Sequence, residues 1–284
     1  MNGGWLEVDD HYAAYLAEKD RLIAERPDDV FAAETGTEDA QAEVLELVVD
    51  HLILESPRIF TRRDEYDLAM RRLASFPTHG STEPRLQMAA RFVQEDLVLM
   101  RRGEDGWRLA AASLCFPSSW SLAEKFGRPL QDIHEPVPQF GRATRNAELI
   151  ERMFDKLQGQ AVLRWNWSLQ NNPSLYHPLS GLQRDERAVA RPSRFPGDDP
   201  VAAAFIRVER QTLRKLPRSG DILFTIRIFL DPMKRLAAHP DRAALASSFA
   251  AQLAALDESQ LDYKGLTADR DRLVAALRAL AGAG

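Results

Sequence analysis

The stretch Ala204-Phe205-Ile206-Arg207-Val208-Glu209-Arg210-Gln211-Thr212-Leu213-Arg214-Lys215-Leu216, then Pro217-Arg218-Ser219-Gly220, then Ile222-Leu223-Phe224-Thr225-Ile226-Arg227-Ile228-Phe229-Leu230, decides the fold class. Both arms are rich in β-branched and aromatic residues, and turn formers lie between them, so the spacing predicts a long β-hairpin. Side chains alternate across a strand, which puts Arg207, Glu209 and Gln211 on one face and Val208, Arg210 and Thr212 on the other. Both faces therefore carry polar groups. If Leu216 pairs with Asp221, Arg210 lies opposite Arg227, a like-charge juxtaposition that a bound anion would relieve. A register shifted by one residue instead sets Arg227 on the face of Glu209 and Gln211, where it makes a neutral pair.

Working outward, Val93 to Arg102 and Trp107 to Cys115 are strand-like and are separated by Gly103, Glu104, Asp105 and Gly106, a second hairpin signal. Ala161 to Leu169 adds another strand. About five strands with local connections favour an antiparallel sheet over a parallel nucleotide-binding one. From His11 to Arg91 the chain reads as helical, with Leu16, Leu22 and Ile23, and then Val44, Leu47, Val48, Leu52 and Ile53, at helical spacing. Thr35 or Thr37 can cap the second of these helices. A short helix around Leu122 to Phe126 ends at Gly127, followed by Pro129 and Leu130 to His134. A firmer helix runs from Thr144 to Leu157. The polar, proline-containing stretch Gln170 to Pro200 has the composition of a long loop, and alanine- and leucine-rich helices follow Pro232. The expected architecture is α+β in a single domain over 1–284, with a helical part at 1–91, a sheet core at 92–231 and a helical part at 232–284.

Composition narrows the function class. With 284 residues, 45% hydrophobic and 28% charged, the chain is an ordinary globular protein. Its formal net charge of -5 gives no general attraction for nucleic acid or anionic lipid. Met1 to Asp10 is acidic and lacks the basic start and apolar run of a secretory signal. No stretch approaches a membrane-spanning apolar run. One cysteine, Cys115, allows no intrachain disulfide and no four-cysteine iron–sulfur cluster. These features point to the cytoplasm. There is no Gly-x-Gly-x-x-Gly turn after a strand, no phosphate loop, no Cys/His zinc pattern and no Gly-x-Ser-x-Gly elbow.

The candidate residues are dispersed. His134 stands before Glu135-Pro136-Val137-Pro138, a stiff context that can hold an imidazole in one orientation for a metal, although a plain hydrogen-bonded histidine fits the spacing equally. Cys115 is the rival soft ligand, but its apolar neighbours Leu114 and Phe116 suit a small buried hydrophobe. Trp165 and Trp167 flank Asn166 and share a strand face, as core or as pocket wall. His177 sits in the long loop.

Three segments together carry a resemblance: Cys115-Phe116-Pro117-Ser118-Ser119-Trp120-Ser121-Leu122-Ala123-Glu124-Lys125 through Ile133-His134-Glu135-Pro136-Val137-Pro138; Asn166-Trp167-Ser168-Leu169-Gln170; and Arg207 to Pro217 through Ile222 to Arg227. This pattern, covering about Val93 to Met233, resembles the haem-dependent oxidative N-demethylase family, specifically the haem-bearing alpha subunit of dimethylamine-oxidising enzymes. The resemblance implies a PAS-like antiparallel sheet holding b-type haem, oxygen activation at its iron, and loss of a methyl group from a small secondary or tertiary amine as formaldehyde. It further implies that NADPH, FMN and a 2Fe-2S centre reside on a reductase partner, and that a folate-binding subunit belongs to the assembly. Under it His134 is the proximal iron ligand, with Arg210, Trp165 and Asn166 around the haem. Glu209 is nominated to hold the ammonium and Arg227 to polarise oxygen; their alternative is a structural ion pair. A haem-based gas or small-ligand sensor is the competing expectation, since fold does not determine function.

Overall fold

The computed structural model describes residues 5–55, 59–75, 81–159 and 161–282. One antiparallel sheet organises them: β1 (Phe31–Ala33), β2 (Asp96–Gly103), β3 (Gly106–Ser113), β4 (Val162–Gln170), β5 (Phe205–Lys215) and β6 (Ile222–Pro232), in the order β1-β3-β2-β6-β5-β4. The α+β expectation holds. The deciding hairpin takes the first of the two registers: the Leu216 N–H donates to the Asp221 carbonyl at 2.8 Å, and Arg210 lies opposite Arg227.

That register sorts the sheet into two faces. The front face presents Val98, Leu213, Ile226 and Ile228, which pack against α6 (Leu122–Lys125), α7 (Leu130–Ile133) and α8 (Arg145–Lys156) through Leu122, Leu130, Ile133 and Phe154. Thr144 caps α8 by accepting from the Ala147 N–H. The back face presents Leu97, Leu99 and Leu223 to α1 (Tyr12–Glu25), α3 (Glu38–Leu54), α4 (Arg63–Ser75) and α5 (Arg85–Ala90), while Val30, which ends α2 (Pro27–Val30), joins the front core with Tyr15, Leu22 and Ile23 of α1. Val44, Val48 and Leu52, four residues apart on α3, are at most 1% exposed, and each contributes about 1.5–3 kcal/mol by leaving water. At the far end, Leu169 and Ile206 pack on the last helices, α11 (Arg242–Ala254), α12 (Glu258–Lys264) and α13 (Arg270–Gly282).

Strand β2 stops pairing with β6 at Asp96 and Ile226. Helix α1 runs past this end, and the Ile228 carbonyl accepts from the Tyr15 hydroxyl at 3.1 Å and from Arg227 Nη1.

Three local expectations change. A sixth strand, β1, lies in the part expected to be all helix; three residues are too few for a period of two to show, and pairing with the outer edge of β3 creates it. The stretch expected as a loop holds α9 (Gly181–Ala190) and α10 (Pro200–Ala203). Helix α9 buries no residue, so it has no apolar stripe to read, yet Ser180 and Gln183 form a reciprocal capping box that marks its start. Thr37 occupies the position before α3, but its hydroxyl donates to the Glu34 carbonyl at 2.6 Å and makes no side-chain cap.

Candidate functional site

The site is built where α6 and α7 face β4 and β5. Pro129 presets the first turn of α7, and Leu130 and Ile133, three residues apart, both bury into the front core. This anchoring fixes the residue that follows. His134 ends the helix with its backbone N–H on the Leu130 carbonyl at 3.1 Å, and its ring Nδ1 lies 3.0 Å from the same oxygen. A carbonyl only accepts, so Nδ1 carries the proton and Nε2 carries a lone pair. No described residue bonds Nε2. Burial, with Lys125 and then Arg164 adding to it, lowers the His134 pKa to about 4, so the ring is neutral at pH 7. A neutral imidazole whose Nδ1–H is tied to a backbone carbonyl is the state in which histidine ligates a metal.

The same charges recur around it. Lys125 ends α6 with its ammonium 4.4 Å from the Trp120 ring centre, and burial followed by Arg184 lowers its pKa to about 8. The Glu209 carboxylate on β5 accepts from Gln211 at 2.8 Å and from Asn166 at 3.5 Å, and lies 3.5 Å from Arg207 Nε. Lys264, which ends α12 (Glu258–Lys264), donates to the Trp167 carbonyl at 2.7 Å with its ammonium 4.6 Å from that ring's centre. The charge of Glu209 acts on both Lys264 and Tyr263; burial raises the tyrosine pKa and lowers that of the lysine. His134 and Lys125 are only half-buried by surface, yet desolvation dominates both shifts. We take this half-buried cluster, with Glu209 and Arg184 acting on it, as the candidate recess. The connections around α6 and α7 are also strained: Ser119, Gln139 and Ala143 have φ of 61, 68 and 60°, each costing of order 1 kcal/mol or more outside glycine.

The sequence-nominated residues divide between the two faces. His134, Asn166 and Glu209 share the front. Trp165, Arg210 and Arg227 are paired across the back, because successive positions of a strand point oppositely. Arg227 is fully buried, with Nη2 2.6 Å from Asp9 and its guanidinium 4.6 Å from the Tyr15 ring centre. Arg210 Nε lies 2.9 Å from Glu7, and its Nη1 donates to the Trp5 carbonyl. Trp165 is 56% exposed. The structure therefore does not bring Glu209 and Arg227 together, nor Trp165 and Arg210 to His134. Cys115 is buried, with its thiol pKa pushed up to about 12 by desolvation, and its backbone N–H is held by Asp96.

Sequence reading passed over Lys125, Tyr263 and Lys264. Lys125 lay within a quoted motif, whereas α12 reaches the recess only through tertiary packing and offers no local signal. A separate cleft of about 310 Å³ between α1 and residues 173–176 includes Arg21 and Glu18, which pair with each other. Among the described residues, no group of three or more His, Cys, Asp and Glu is arranged to hold a bare metal ion, and no helix is long and apolar enough to cross a membrane. In comparison with known families, residues 2–274 match the model described as haem-dependent oxidative N-demethylase, alpha subunit-like.

Proposed function

The chain belongs to the haem-dependent oxidative N-demethylase, alpha subunit-like family, and on that premise we propose that it is the haem-bearing subunit of an enzyme that demethylates a small secondary or tertiary amine such as dimethylamine. The observation that supports this reading most is the state of His134: a neutral ring, with Nδ1 committed to the Leu130 carbonyl and Nε2 without a partner among the described residues. The donor set fits haem. His134 Nε2 would hold the iron, and the apolar surface beside Ile133 and Ile226 would take the ring of a b-type haem on a PAS-like sheet. Once bound, haem supplies oxidation of an N-methyl C–H bond at the expense of O2 and two electrons.

The residues of the chain bind, orient and move protons. Glu209, steadied by Gln211 and Asn166, offers a carboxylate to the substrate ammonium, whose entry into a half-dry recess demands a strong acceptor. Lys125, its pKa lowered by burial and Arg184 to about 8, is mostly protonated at pH 7 and gives up its proton more readily than a free lysine, so it is suited to donate a proton in the recess. Oxidation at the methyl carbon gives a carbinolamine that collapses to formaldehyde and the shorter amine. Arg227 has no part in this scheme, since Asp9 engages it on the other face. Electrons come from a partner carrying NADPH-reducible FMN and 2Fe-2S centres, in an assembly with a folate-binding subunit, in the cytoplasm.

Formaldehyde release tests the reading. The haem-loaded chain with a chemical or protein electron donor, O2 and dimethylamine is expected to release one formaldehyde per amine consumed. Oxygen binding without amine-dependent formaldehyde would contradict it and favour a sensor.

A further inference from the structure

Beyond Arg184 on α9, the recess continues into a second group of cations. Arg187 Nη2 donates to the Tyr263 carbonyl at 3.0 Å, and Arg194 Nη1 donates to the Lys264 carbonyl at 3.1 Å. These consecutive oxygens end α12, so two guanidinium groups converge there. His177 is pinned beside them by its own backbone: its N–H donates to the Pro117 carbonyl, and its carbonyl accepts from Ser119, both at 3.1 Å. Burial of its half-buried ring, followed by the charges of Arg194, Arg207 and Arg187, lowers its pKa. Arg207 is fully buried and donates to the Leu175 and Phe116 carbonyls.

The carboxylates here are already engaged. Asp269 accepts from Ser193 at 2.7 Å and from the Arg194 backbone N–H at 2.6 Å, with Arg272 at 3.2 Å, and Glu209 stands 3.5 Å from Arg207. Carbonyl partners satisfy hydrogen bonds but leave net charge, and a half-buried excess of guanidinium is unfavourable until an anion enters. Burial lowers the pKa of Arg194 to about 10 and displaces Arg187 and His177 in the same direction, as expected for cations short of counter-charge. The Nε atoms of Arg187 and Arg207 are buried without a hydrogen-bond partner. A pure helix-capping role accounts for the two carbonyl contacts, but not for the buried, unpartnered Nε of Arg187.

We propose that Arg187, Arg194 and His177 form a seat for a carboxylate, and that the carboxylate is a propionate side chain of the haem. The seat rests on the haem reading above. It relocates the anion that the Arg210 and Arg227 pair seemed to call for in the sequence, since Glu7 and Asp9 already neutralise that pair.

The test titrates the full apo chain with haem and, separately, with haem dimethyl ester, following the absorption spectrum. Wild type is expected to bind the diacid at least about tenfold tighter than the diester, the scale of one charge-assisted contact. In the double variant Arg187→Gln, Arg194→Gln, which keeps donors for the two carbonyls but removes the charge, the two porphyrins should bind within about twofold of each other. A second arm adds millimolar propionate to the apo chain and reads the thermal midpoint. A rise in wild type but not in the double variant, with no preference between the porphyrins, keeps the seat and makes a free carboxylate its source. No preference and no rise would overturn the seat while leaving the haem reading intact, provided both porphyrins give the same axial-histidine spectrum. Binding of neither porphyrin would sink the haem reading, and the propionate arm would then decide the seat alone.

Discussion

Three arginines of one hairpin, Arg207, Arg210 and Arg227, are no more than 2% exposed, and the sheet treats them in two ways. On the back face, Arg227 and Arg210 lie opposite each other and are neutralised from a distance by Asp9 and Glu7. On the front face, Arg207 has Glu209 no closer than 3.5 Å, with Asp96 and Tyr15 also acting on it, and His177 nearby feels the charges of Arg194 and Arg187 as well. A pleat that reverses direction at each residue thus turns one sequence of alternating charges into a closed structural network and an open cationic recess. Charge on a strand says little until its partners are known. The acidic stretch at the start of the chain, read in the sequence only as evidence against an export signal, supplies the partners for the back face.

The comparison breaks most visibly at Asp9. Replacing it with Asn leaves Arg227 buried with only Glu95, itself buried and not bonded to it, as counter-charge, and removing one member of a buried pair costs about 3–5 kcal/mol; with Asp9 33% exposed, the lower end applies. Urea unfolding of Asp9→Asn is therefore expected to show a loss of about 3 kcal/mol, while haem affinity under native conditions stays within about twofold, the scatter allowed to an uncoupled site. An unchanged midpoint would mean that Arg227 finds another counter-charge and that the back face is not closed.

On the front face, acid is the sharper probe. Burial and Lys125 lower the His134 pKa from 6.5 to about 4, so the folded apo chain binds this proton more weakly than the unfolded chain. The stability contributed by neutral His134 is complete above about pH 6.5 and is lost as pH falls toward 4, by up to about 3 kcal/mol. His51 and His177 are lowered too, so the quantity to measure is the difference between wild type and His134→Ala across that window. Parallel stability curves would show that His134 is not held in the desolvated, neutral state.

Glu209→Gln preserves the size of the side chain and removes its charge. It should weaken dimethylamine binding by about tenfold, about 1.4 kcal/mol, in a spectral titration of the haem-loaded chain, and should also lower stability, by less than Asp9→Asn, because Glu209 stands 3.5 Å from the buried Arg207. An unaltered amine response removes Glu209 from the substrate site. The smallest effect belongs to the back face again: Trp165, more than half exposed, should tolerate Ala within about 0.5 kcal/mol, with the haem spectrum unchanged.

Much of the fold was legible because its signals are local. The β5–β6 hairpin carries strand composition on both sides of a turn, and α3 carries its stripe from Val44 to Leu52, so both could be read from neighbours in sequence. Helix α9 was missed because it buries nothing, although Ser180 and Gln183 announced it; β1 was missed because it exists only through the edge of β3. In the site, His134 was legible through its prolines and its place in the resemblance, and Glu209 through its strand. The register of Arg210 and Arg227 was stated as one of two options, and even the option that holds did not disclose Glu7 and Asp9 as partners, because more than 200 residues separate the members of each pair. Tyr263, Lys264 and the arginines of α9 enter the recess by packing of separate helices, a relation that no local spacing records.

The central claim is that His134 Nε2 is the group presented to iron, and the absorption spectrum of the full chain loaded with haem, beside His134→Ala, tests it most directly. Wild type is expected to bind one haem with the bands of an axial histidine; the variant should remain folded, lose those bands, and regain them when free imidazole is added. Identical spectra and haem content in the two proteins would contradict the account.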